Sequence, residues 1–61
     1  MNYFVTIDGK TSNYNLNREH AIRSAKYEAS KGAVNIGIGK YKYDYNKGKS
    51  VYKLVPLSFY I

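Results

Sequence analysis

The residues of this chain with chemistry to offer are lysine and tyrosine, and they alternate. Lys40-Tyr41-Lys42-Tyr43-Asp44-Tyr45-Asn46-Lys47-Gly48-Lys49 is followed closely by Tyr52 and Lys53. Ammonium groups neutralise phosphates and aromatic rings stack on bases, so this combination suits a nucleic-acid-binding sheet. Lys40, Tyr41, Lys42, Tyr43, Lys47, Lys49, Tyr52 and Lys53 are therefore the first candidates for contact with a nucleic acid or a protein partner. An ordinary amphipathic strand with snorkelling lysines has the same appearance. No RNP-type run, GXXG loop or zinc-ligand spacing accompanies the alternation.

Other reactive groups are sparse. The chain has no Cys, which excludes disulfides and thiolate metal sites. One His and four scattered acids (Asp8, Glu19, Glu28, Asp44) give no expectation of a metal or cofactor. His20 and Ser24 are spaced to meet on a helix, but no buried third group is at hand to orient the imidazole, as a triad needs. Gly48-Lys49-Ser50 resembles the end of a phosphate-binding loop. The first glycine of that motif would fall on Tyr43, and no helix is expected to follow. Gly37-Ile38-Gly39-Lys40 lies inside a strand pattern, where glycines signal close packing or a bulge. No catalytic residues are assigned, and the chain is expected not to be an enzyme.

The element that must organise the rest is a helix within residues 17–32. Asn17 is a good N-cap and Gly32 fits the left-handed position that closes a helix. Leu16 and Ala21 are spaced for a weak hydrophobic staple. Glu19 can pair with Arg23 one turn on. Ala21, Ile22, Ala25 and Ala29 share one arc roughly 100° wide, small enough to sit close on a sheet. The opposite arc carries His20, Arg23, Tyr27 and Lys31, a solvated face or a secondary candidate surface.

Residues 3–7 read as a strand with Tyr3, Val5 and Ile7 on one face. Asp8-Gly9 is a two-residue hairpin signal, and the polar return strand, residues 10–14, suits an exposed edge. After Gly32, the residues Val34, Ile36 and Ile38 alternate with Asn35, Gly37 and Gly39. The apolar phase then flips to Tyr41, Tyr43 and Tyr45. Either a bulge at Gly37 or Gly39 turns these tyrosines into the core, or the strand is regular and they face away from the helix. The regular strand is the preferred reading. Asn46-Lys47-Gly48 marks a tight turn, and residues 50–61 form a last strand in which Pro56 marks an edge, a bulge or a new short strand.

The expected fold is α+β: a single β-β-α-β-β domain over residues 1–61, with one mainly antiparallel sheet and one helix packed on one face. The uncovered face would carry Tyr41, Tyr43, Tyr52 and Tyr60, with Gly37 and Gly39 as a flat strip. That is more aromatic surface than a lone monomer usually exposes, which points to a homodimer through the open sheet face or an edge strand.

The length of 61 residues leaves only about 60% of the unfolded surface buried, a marginal domain. The formal charge is +6, and the residues from Gly32 onward hold five basic residues against one acid. Such a field favours polyanions. With no apolar run of about 18–20 residues and no secretion-signal pattern at the start, no membrane contact and a cytoplasmic location are expected. Lys, Asn, Tyr and Ile supply 27 of the residues, a composition with A/T-rich codons that fits a phage or mobile element. In size and layout the chain is similar to small single-helix sheet proteins that phages encode against host defence, some anti-CRISPR proteins among them. The sequence thus predicts a small, non-enzymatic basic protein that contacts nucleic acid or a nucleoprotein complex. The alternative, which the resemblance implies, is a stoichiometric inhibitor that occludes a host protein.

Overall fold

The computed structural model describes residues 2–60. It contains β1 (Tyr3–Ile7), β2 (Lys10–Leu16), α1 (Arg18–Ser30), β3 (Ile36–Asp44), β4 (Lys49–Pro56) and a short 3-10 helix, Leu57–Tyr60. The fold is α+β, as expected. The strands form one antiparallel sheet in the order β2-β1-β3-β4, and α1 packs on one face.

Local chemistry accounts for each boundary. Asn17 Oδ1 accepts the His20 N–H at 2.8 Å and caps the first turn. At the other end Ala33 N–H donates to the Glu28 carbonyl and Gly32 N–H to the Ala29 carbonyl. With Gly32 at φ +95° this is a Schellman stop. Asp8 (φ 54°) and Gly9 (φ 82°) form the two-residue turn between β1 and β2, with Ile7 opposite Lys10.

The core lies between α1 and the sheet. Val5, Ala21, Ala25, Ile38 and Leu57 are buried there, with Tyr3, Leu16, Ile22, Ile36 and Tyr60 packed around them. Ala21 and Ala25 carry no side chain beyond Cβ, so α1 sits close on Val5 and Ile38. Ala29, the third alanine of the predicted arc, is exposed near the end of α1.

Several expectations change. β2 continues to Leu16 but pairs irregularly: its register against β1 slips by one residue twice, and Asn15 takes a left-handed φ of 56°. Bulges of this kind blunt an edge strand against further pairing. β3 begins at Ile36, because Asn35 (φ 58°) breaks the extended run and leaves Val34 exposed before the strand. The final strand stops at Pro56 rather than continuing to the end. Proline cannot donate to a ladder, and the chain turns there so that Leu57 enters the core. Tyr60 consequently lies on the helix side, not on the open face, while Phe59 is exposed. Ile61, predicted on the apolar side of that strand, lies outside the described residues. Glu19 and Arg23 form no ion pair; among the described residues Lys31 and Glu28 do, at 3.9 Å. Among the described residues no helix is long and apolar enough to cross a membrane.

Candidate nucleic-acid interface

The β3–β4 hairpin carries the predicted site, and its register settles which way each residue points. β3 pairs with β4 without a slip, from Gly37↔Pro56 through Lys40↔Lys53 and Tyr41↔Tyr52 to Asp44↔Lys49. The strand is therefore regular and no glycine bulge turns the tyrosines inward. Side chains alternate along each strand. Ile38 is buried under α1, so Lys40, Lys42 and their partners Lys53 and Val51 share the helix side. Tyr41, Tyr43 and Tyr52 share the opposite side. The last pairing between β1 and β3 is Tyr3↔Lys40, and beyond it the hairpin extends as a two-stranded arm. The eight predicted site residues thus do not converge on one surface. Lys40, Lys42, Lys49 and Lys53 lie on one face of the arm and Tyr41, Tyr43 and Tyr52 on the other. Lys47 sits in the turn, where Asp44 Oδ1 accepts the N–H groups of Asn46 (2.9 Å) and Lys47 (3.3 Å).

The open face has its own small core. Phe4, directly opposite Gly39, is only 3% exposed although it faces away from the helix. Its ring lies where a Gly39 side chain would be: an added Cβ would clash with Phe4 Cζ. Tyr41 lies 4.7 Å from Phe4 between ring centroids, and Tyr52 packs edge-on at 5.6 Å from Phe4 and 5.9 Å from Tyr41. Thr6 and Leu54 cover Gly37, less tightly. The flat glycine strip expected here is therefore roofed by Phe4 and Leu54, a role the sequence pattern did not suggest for them. Tyr43 pairs edge-on with Tyr45 at 4.9 Å, nearer the tip.

The helix side is built differently. Past the N-terminal end of α1, the sheet and the 3-10 helix enclose an open concavity of about 350 Å³. Ile38, Val51 and Val55 give it an apolar floor; Tyr3, Tyr60, Lys40, Lys42 and Lys53 surround it and Tyr52 borders it, with no carboxylate in the lining. Lys40 Nζ is 5.6 Å from the Tyr3 ring centroid, and the Arg18 guanidinium carbon is 5.4 Å from that of Tyr60. Lys40 and Lys53 are direct cross-strand partners, an arrangement that opposes folding because like charges face each other. Sequence reasoning missed Tyr3, Arg18, Val51, Val55 and Tyr60. Tyr3 and Tyr60 come from opposite ends of the chain, and only the strand order and the turn after Pro56 bring them to the lysines, whereas Val51 and Val55 flank Lys53 on its own face of β4.

The secondary candidates lie along the outer side of α1. His20, Arg23 and Tyr27 line a shallow groove against Asn13 and Leu16 of β2, and Lys31 Nζ sits 4.9 Å from the Tyr27 ring centroid. His20 is exposed, and the Ser24 hydroxyl accepts the Asn13 amide at 2.8 Å, so the two form no nucleophile–base pair. Among the described residues no three of His, Asp and Glu gather as metal ligands would. Gly48-Lys49-Ser50 opens strand β4 instead of a helix.

Compared with known proteins, the chain matches no family model, no curated protein and no solved structure.

Proposed function

We propose that this chain is a non-enzymatic cytoplasmic protein that binds nucleic acid, free or within a nucleoprotein complex, through the lysine side of the hairpin arm. One observation carries the reading: Lys40 and Lys53 face each other across the sheet beside a concavity that no carboxylate lines. A sequence that keeps a locally unfavourable pair without a compensating ion pair is compatible with a site made for an anion. The charge of +6 and the A/T-rich composition agree with a polyanion partner met in a phage or mobile-element setting. Fluorescence anisotropy with single-stranded and duplex oligonucleotides at two salt concentrations tests it. Phosphate contact predicts a log–log slope of about −0.7 per contact on a single strand and about −0.9 on a duplex. No binding to either at low salt rules it out.

A second reading rests on the open face. Tyr52 is 62% exposed and Leu54 and Tyr43 are also exposed, on a face to which the hairpin's lysines do not contribute. Tyrosine-rich apolar patches suit protein interfaces. In that reading the chain is a stoichiometric inhibitor that occludes a host protein, or it pairs with a second copy of itself. Affinity capture with and without nuclease separates the readings. A partner that survives nuclease and is lost with Leu54→Glu favours the inhibitor. A doubled mass by light scattering, abolished by the same change, favours the dimer.

A further inference from the structure

Resting on the nucleic-acid reading above, we infer that the groove takes a single-stranded polynucleotide and seats an unstacked base on its apolar floor, beside Tyr3 and Tyr60. A duplex hides its base faces and offers phosphates and groove edges. A convex basic ridge serves for that, and an apolar hollow adds nothing. Here the lysines stand around a hollow floored by Ile38, Val51 and Val55. Its volume of about 350 Å³ is at the small end of clefts that hold organic ligands, roughly 300–1,000 Å³. The lining combines what single-strand sites combine, cations for the backbone and aromatic side chains for the bases. The aromatic side chains also already carry cations: Lys40 lies by the Tyr3 ring and Arg18 by the Tyr60 ring. Of the tyrosines that sequence alone suggested as stacking platforms, Tyr41 is tilted against Phe4 and Tyr43 is edge-on to Tyr45, while Tyr52, edge-on to Phe4 and Tyr41, also borders the groove.

Anisotropy with four fluorescent probes tests the inference on the unmodified protein: a mixed-sequence single strand as DNA and as RNA, the DNA strand annealed to its complement, and the same strand with abasic sites. Base–aromatic contact is worth about ten- to a hundred-fold in affinity. The better-bound of the DNA and RNA single strands should exceed the duplex by at least roughly ten-fold, and should name the source. Abasic sites should weaken the DNA strand by a similar factor. Tyr60→Ala should erase the difference between intact and abasic strands and Tyr60→Phe should keep it. The abasic comparison stands even if Tyr60→Ala fails to fold. Equal binding of intact strand, abasic strand and duplex overturns the inference while leaving the groove a polyanion site. Polyglutamate binding as tightly as the single strands overturns it in favour of an acidic protein surface. No binding by any probe at low salt removes the groove reading and the inference together.

Discussion

The two faces of the β3–β4 hairpin are made from alternate residues of one ribbon, yet they relate to the fold in opposite ways. On the open face Tyr41 and Tyr52 close over Phe4, and Phe4 fills the space left by Gly39. That face adds a smaller aromatic cluster to the core under α1. On the helix side Lys40 opposes Lys53 with no acid between them, and this pair works against the sheet. Beyond Ile38, which belongs to the core under α1, stability and binding are thus assigned to different sides of the hairpin arm. Neighbours such as Tyr52 and Lys53, one residue apart and facing opposite ways, can separate the two properties experimentally.

The largest expected effect is on the open face. Phe4→Ala should destabilise by about 3–5 kcal/mol, as deletion of a buried aromatic does, and for a domain this small that approaches the whole stability. Denaturant melts check it; a midpoint equal to the parent's would mean the aromatic cluster is not part of the core. Gly39→Ala comes next. Its Cβ would press on the Phe4 ring, and overpacking of this kind costs about 1–3 kcal/mol. Combining Gly39→Ala with Phe4→Leu should recover part of that loss, since the clash is with the ring.

Lys53→Glu is the change that sets the faces apart. It replaces a like-charged cross-strand pair with an opposite-charged one, so the melting midpoint should hold or rise, by roughly 0.2–1 kcal/mol of stability. Affinity for a single-stranded oligonucleotide should nonetheless fall by about ten-fold or more, the scale of a lost charge-assisted contact. A variant that gains neither stability nor loses affinity would dissolve the contrast. The smallest effect belongs to the tip: Tyr45, 88% exposed, should change stability by less than about 0.5 kcal/mol when replaced by Ser, with affinity unchanged.

Much of this contrast was legible in the sequence, and the reason is periodicity. Along β3 the lysines at even positions and the tyrosines at odd ones must part to opposite faces of a regular strand, and so must Tyr52 and Lys53, adjacent on β4. The caps at Asn17 and Gly32 and the turn at Asp8-Gly9 were equally readable, because each depends on a few adjacent residues. Features that depend on register between distant strands were not. Phe4 over Gly39 requires knowing that β1 lies against β3 at Phe4↔Gly39, and the sequence offers no local sign of it. Pro56 signalled the end of pairing. It set no direction for the residues beyond it, so Tyr60 was expected on the wrong face. The groove suffered most, since it joins Tyr3 and Tyr60 from opposite ends of the chain around lysines from the middle. The left-handed Asn15 and Asn35 shortened or bent strands that the apolar pattern alone would have drawn straight.

The central claim is that the polyanion contacts the lysine side of the hairpin and not the tyrosine side. The salt dependence of oligonucleotide affinity, measured for the parent, Lys53→Glu and Tyr52→Thr, tests it most directly. Each lost phosphate contact on a single strand should make the log–log slope shallower by about 0.7. The account predicts a shallower slope for Lys53→Glu and the parent's slope for Tyr52→Thr, whatever the latter does to stability. A slope unchanged in Lys53→Glu, or reduced only in Tyr52→Thr, would contradict it.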